Sequence, residues 1–187
     1  PVVVYVGSGF SRKGVPQRLS ALAQQALRNA ELWVIGKDKG AARLQSMARK
    51  LQLQVRLLGP QQDVAPWLGA ADVFALPTLY DPMPNAALEA LAAGLPVLCS
   101  SSCGAAELIE AGQNGSVVDA LDVSGIAAAL ASLLARAADP VSGPAMRQAA
   151  RESVAHQGKE AMAACLVALY QSLLRTSPTA ASTRPAE

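Results

Sequence analysis

Short apolar runs rich in β-branched residues alternate along this chain with longer stretches whose apolar positions recur at three- and four-residue spacing. The runs at 2–6, 32–35, 54–58, 73–76, 97–99 and 116–118 read as strands buried on both faces. Between them, 17–28, 41–51, 65–69, 85–93, 105–111 and 124–137 carry apolar residues at helical spacing. Strands alternating with helices in this way predict an α/β fold, a doubly wound parallel six-stranded sheet. Right-handed crossovers then place helices on both of its faces. Asp139-Pro140 closes the last of these helices. Two more helices are predicted at 144–156 and 159–174, parted by Gly158. From 176 to 187 the chain is rich in Ser, Thr, Ala and Pro with no core-building pattern, which predicts a disordered tail behind one domain at 1–175.

Composition removes several classes of function. Of 187 residues, 51% are hydrophobic and 16% charged, enough to bury one sizeable core. A net charge of +2, with few aromatics and no basic run among them, gives no footprint for nucleic acid. No apolar stretch approaches the roughly 18 residues that span a bilayer. The start, Pro1-Val2-Val3-Val4-Tyr5-Val6, lacks the charged region and cleavage site of a signal peptide and reads as a core strand. Beginning there without Met, the chain is expected to be a domain of a longer protein. Cys99 and Cys103 have no second Cys or His pair near them, and the lone His156 lies in a distant helical segment. No metal site is expected, and the thiols read as free in a reducing cytosol. No Ser-His-Asp or Cys-His arrangement is available.

Two segments carry chemistry. In the first, a buried strand leads into the Pro-rich loop Asp81-Pro82-Met83-Pro84. A helix begins near Asn85, Glu89 lies one turn inside it, and Gly94-Leu95-Pro96 stops it. A strand–loop–helix junction in an open α/β sheet lies at the carboxyl edge, where ligands bind. Two carboxylates there can accept hydrogen bonds from sugar or ribose hydroxyls, and the helix N-terminus offers unpaired N–H groups to an anion. In the second, Gly7-Ser8-Gly9-Phe10-Ser11-Arg12-Lys13-Gly14 follows the first strand. Glycine allows close backbone approach to a phosphate, while Arg12 and Lys13 bring positive charge. Arg12 stands where a dinucleotide fingerprint needs its third glycine, and the Gly-Lys-Ser/Thr ending of a P-loop is missing. By pattern alone, phosphate binding and an ordinary βα turn are equally open.

The stretch from Asp81 to Glu89 resembles the E-x7-E motif of retaining family 4 glycosyltransferases with the GT-B architecture, Asp replacing the first Glu. Thr78-Leu79-Tyr80-Asp81-Pro82, with Asn85 and Leu88-Glu89-Ala90-Leu91, is most similar to the lipopolysaccharide core enzymes that glucosylate the first heptose. The Arg12-Lys13-Gly14 loop resembles theirs too, and the likeness runs from Val2 to about Leu134. It implies the Rossmann-like, donor-binding half of a GT-B fold. The implied activity is transfer of a hexose, glucose foremost, from a UDP-sugar with retention and without a metal or other cofactor.

The resemblance also implies roles. The catalytic set is Asp81, Glu89 and Lys13. Lys13 holds the donor diphosphate beside Gly7, with Arg12 as second cation, because Ser8 stands where many relatives carry Arg. Gly36 and Lys37 lie near the nucleotide. Backbone groups of Leu58, Gly59, Pro60 and Val64 read the base, and Glu89 binds the ribose. Asp81, with the N–H groups of Met83, Asn85 and Ala86, grips sugar and phosphate; its reach is one methylene shorter than that of Glu. Glu107 reads as a structural acid, and Trp33 and Trp67 as packing residues. A glycan or lipid-linked saccharide acceptor would come through an upstream domain. That places the full protein in the cytoplasm, peripherally at the inner face of the inner membrane. The rival readings are a non-catalytic nucleotide-binding module and a GT-B nucleotide-sugar epimerase, whose acids and His this chain does not show.

Overall fold

β-Branched and aliphatic residues line the strands of one sheet in a computed structural model that describes residues 1–176. The strands are β1 (Val2–Val6), β2 (Glu31–Ile35), β3 (Gln54–Gly59), β4 (Val73–Leu76), β5 (Val97–Ser100) and β6 (Gly115–Val118). All neighbours pair in parallel, in the order β3-β2-β1-β4-β5-β6. Every residue of β4 and β5 is buried, as their unbroken apolar runs require. The predicted doubly wound α/β sheet is the observed one.

The α-helices among the described residues are α1 (Val15–Leu22), α2 (Ala41–Lys50), α3 (Ala65–Ala70), α4 (Asn85–Ala92), α5 (Val123–Ala138), α6 (Ser142–Ser153) and α7 (Lys159–Thr176). Residues Pro1–Val154 form one compact unit, and a second begins at Ala155. In that second unit α7 exposes Met162, Leu166, Leu169, Tyr170 and Leu173. Among the described residues no helix is long and apolar enough to cross a membrane. The predicted tail at 176–187 lies outside the described residues, apart from Thr176, which ends α7.

Two predicted helices differ from what forms. The helix expected at 17–28 starts at Val15, because Gly14 caps it and Pro16 fits its first turn. It ends early: Gln24 is extended, and a separate 3-10 turn at Gln25–Leu27 buries Leu27. The helix expected at 105–111 is only a 3-10 turn, Gly104–Leu108. The buried Asn114 side chain takes the backbone groups that would continue it, accepting from Glu110 N–H at 2.8 Å and donating to the Leu108 carbonyl at 2.8 Å.

Strand order reverses between β1 and β4, so the loops that follow these two strands lie together at the carboxyl edge. The loop after β2 joins them. Gly36 has a φ of 132°, and a Cβ there would lie 2.0 Å from the Gly7 carbonyl oxygen. Gly36→Ala is therefore expected to cost about 1–3 kcal/mol of stability. An unchanged thermal midpoint would show that this close approach does not constrain the edge.

Candidate functional site

The loop after β1 folds back on itself before α1 begins. Lys13 N–H donates to the Gly9 carbonyl at 2.9 Å and Val15 N–H to that of Phe10 at 2.9 Å. The loop after β4 is stitched to it: Leu79 N–H donates to the Arg12 carbonyl at 2.8 Å. The buried Thr78 hydroxyl lies 3.2 Å from that same oxygen and 3.1 Å from the Tyr80 carbonyl. Gly14 makes the stitching possible, since a Cβ there would lie 1.9 Å from the Pro77 carbonyl oxygen.

The two loops bring the charges together. Lys13 Nζ lies 3.1 Å from Asp81 Oδ2, and both side chains are largely buried. The Arg12 guanidinium, half-exposed, is 4.0 Å from the same oxygen and donates to the Tyr80 carbonyl. From its other side, Asp81 is held by the loop after β5. Its N–H donates to Ser102 O at 3.3 Å, and its carbonyl accepts from Gly104 N–H at 2.9 Å. The result is a cluster at the switch point in which two cations share one carboxylate.

Asp38, given no role by sequence reasoning, fastens the glycine loop from below. Its Oδ2 accepts from Gly9 N–H at 2.8 Å and Phe10 N–H at 3.0 Å, and Oδ1 accepts from Gly40 N–H at 2.6 Å. These bonds, with Gly40 first, hold its carboxyl below the usual carboxylate range. Asp38 therefore takes up the Gly9 and Phe10 amides of the glycine loop, so these two N–H groups are not free. A turn-forming Asp after a strand-end glycine was the only signal for it, and that signal does not specify a partner 29 positions away.

Under the same loop Tyr5 and Arg18 are both fully buried. Burial pushes the Tyr5 phenol up to about 12 and pulls the Arg18 guanidinium down to about 10, which leaves it charged at neutral pH. Sequence reasoning passed over Arg18 as an ordinary helix residue.

Between β2 and β3 a recess of about 370 Å³ opens on the same edge. Phe10, Gly36, Lys37, Asp38, Gly59 and Pro60 are among its walls. Leu58 and Val64 lie outside this lining: Gln61 Nε2 donates to the Leu58 carbonyl at 2.8 Å, and Val64 caps α3. Met83, Asn85 and Glu89 are exposed and Ala86 is half-buried. Asn85 and Ala86 open α4, so their N–H groups have no acceptor within the helix. The Glu89 carboxylate touches neither Asp81 nor any cation among the described residues. Trp33 and Trp67 pack edge-to-face, 5.6 Å between centroids. Cys99, Cys103 and Cys165 are free. A groove of about 490 Å³ at 1, 26–30, 72 and 131–138 lies at the opposite edge of the sheet. Its one carboxylate, Asp72, is occupied by the Val2 N–H at 2.7 Å.

A parallel Rossmann-like sheet with cations and an acid gathered at its switch point defines a doubly wound α/β domain. The Glycosyl transferases group 1 profile matches residues 1–136, and the chain belongs to that family. It is similar to the lipopolysaccharide core biosynthesis glycosyltransferase LpsE of Rhizobium meliloti strain 1021, 34% identical over 137 residues, 72% of this chain and 40% of LpsE. With the lipopolysaccharide glucosyltransferase WaaG of Escherichia coli K12 it is 36% identical over 122 residues, 63% of this chain and 32% of WaaG. The crystal structure of WaaG superposes with a TM-score of 0.72 at 31% identity, covering 81% of this chain and 41% of that one. Anabaena HepE, solved with UDP and glucose, shares the fold at a TM-score of 0.81 and 20% identity, covering 91% and 48%. The chain thus spans about two-fifths or less of the curated relatives it matches, and its sheet is one half of a GT-B fold.

Proposed function

We propose that this chain is the donor-binding half of a retaining hexosyltransferase that moves glucose from UDP-glucose to a lipopolysaccharide core or related glycan acceptor. The observation that carries the proposal is the convergence of Lys13 and Arg12 on Asp81 at the switch point. Lys13 and Arg12 meet the diphosphate beside Gly7 and stabilise the negative charge that develops as it departs, so no metal is needed. The free N–H groups of Asn85 and Ala86, with that of Met83, complete the phosphate and sugar contacts. Asp81 faces the hexose and Glu89 the ribose. The recess walled by Gly36, Lys37, Gly59 and Pro60 takes the base, with Leu58 and Val64 on its approach. The HepE and WaaG likenesses support UDP and glucose as first choices. The acceptor enters through a domain upstream of Pro1, and the full protein works at the cytoplasmic face of the membrane that carries it. The isolated half binds nucleotide without transferring sugar.

Calorimetric titration with UDP, GDP and ADP, then with the glucose, galactose and mannose conjugates, tests this directly. UDP should bind most tightly and glucose should add affinity; failure of UDP to bind would refute the reading. Glu89→Gln removes the carboxylate that accepts from two vicinal ribose hydroxyls. It should weaken UDP by about 1–2 kcal/mol and leave uracil-free diphosphate unaffected. Equal weakening of inorganic diphosphate would move Glu89 away from the ribose.

A further inference from the structure

Arg18, in the first turns of α1, is fully buried. Its Nη1 donates to the Ala75 carbonyl, but Nε and Nη2 have no hydrogen-bond partner among the described residues. No carboxylate pairs with it there; the ion pairs are those of Arg12 and Lys13 with Asp81 and of Arg56 with Glu31. What faces the guanidinium is the ring of Tyr5, 4.4 Å from carbon to centroid. The Phe10 ring meets Tyr5 edge-on at 5.8 Å. The Tyr5 hydroxyl donates to the Ser8 carbonyl at 3.1 Å. That hydroxyl and Lys13 Nζ flank Gly7, lying 3.1 and 3.2 Å from where a Cβ would stand. One aromatic ring therefore separates a buried cation from the loop that carries Lys13.

Burying a charge without a counter-ion costs stability, and a ring face with one carbonyl offsets only part of that cost. An aliphatic side chain would occupy this buried position without that cost. A buried charge is screened by salt far less than an exposed one, so it can act on an anion at the loop above it.

We propose that Arg18 is a positioning residue of the donor site, whose buried charge acts through Tyr5 to hold the glycine loop and favour a diphosphate above it. The proposal rests on the donor-site reading. Arg18→Met and Arg18→Leu remove the charge, Arg18→Lys keeps it, and Arg12→Ala gives the exposed-cation contrast. Affinity for UDP and for uridine is measured by calorimetry at low and high NaCl, alongside thermal melts. The Met variant should melt no lower than wild type and bind UDP about tenfold more weakly. That loss should be the same at both salt concentrations, with uridine affinity unchanged and UDP affinity recovered in the Lys variant. The Arg12→Ala loss should shrink at high salt. Unchanged UDP affinity in the Met variant overturns the proposal, as does parallel loss of uridine. If Met and Leu variants both fail to fold, the charge is structural and the proposal falls. Failure of wild type to bind UDP instead overturns the donor-site reading beneath it.

Discussion

Lys13→Ala is expected to weaken UDP binding by about 1.5–3 kcal/mol, the cost of losing a charge-assisted contact to the diphosphate. The structure places this variant at the upper end of that range. Lys13 Nζ is the cation nearest Asp81, at 3.1 Å, and Arg12 is farther away at 4.0 Å and half-exposed. Without Lys13, an incoming diphosphate meets Asp81 with only a solvent-screened guanidinium between them. Breaking a largely buried pair also lowers stability, so affinity and folding must be separated. The double variant Lys13→Ala/Asp81→Asn does this: it removes the stranded carboxylate and should recover the melting temperature but only part of the UDP affinity. Full recovery of wild-type affinity in the double variant would mean that Lys13 serves only to neutralise Asp81, and the loop would be an ordinary βα turn.

The sheet was legible because its signal is local. Runs such as Val73-Phe74-Ala75-Leu76 are buried throughout, and alternation with helices determines that they pair in parallel. The neighbourhood of the Lys13 and Asp81 loops followed from topology, since both leave the sheet where its order reverses. The contacts that lock these turns were not legible, because each depends on folded neighbours that the side chain's own local pattern does not specify. Asp38 binds Gly9 and Phe10 N–H, Arg18 meets Tyr5 across the sheet–helix boundary, and Asn114 ends the turn at Gly104–Leu108 from its far side. Each of these side chains matches a common local pattern, a turn Asp, a helical Arg and an Asn-Gly turn, and only the folded neighbours give it another role. Glu89 shows the converse. Its position one turn into α4 was predicted, and the helix presents it to solvent with no ion-pair partner among the described residues, a state in which a carboxylate can receive hydroxyls from outside.

Asp81→Asn is expected to raise affinity for UDP about three- to tenfold while reducing the extra affinity that glucose adds to it. Sequence reasoning puts Asp81 beside the hexose, which UDP lacks, and so makes UDP blind to it. The ion pair changes that expectation. Asp81 pairs with Lys13 at 3.1 Å, so a diphosphate drawn to Lys13 would have to compete with the carboxylate and would keep it as a like-charged neighbour once bound. An Asn side chain keeps the shape and offers Lys13 a weaker, neutral acceptor, so the penalty falls by about 0.5–1.5 kcal/mol. The backbone of residue 81 stays fixed through Ser102 and Gly104, which keeps the substitution local. With the sugar present the balance reverses, because a carboxylate accepts from hexose hydroxyls more strongly than an amide does. Calorimetry of UDP and UDP-glucose with both proteins gives four affinities. The assignment holds if UDP tightens and the glucose increment shrinks. If Asn at this position weakens UDP, then Asp81 acts by aligning Lys13 for the diphosphate instead of competing with it, and the hexose contact must be sought on another residue.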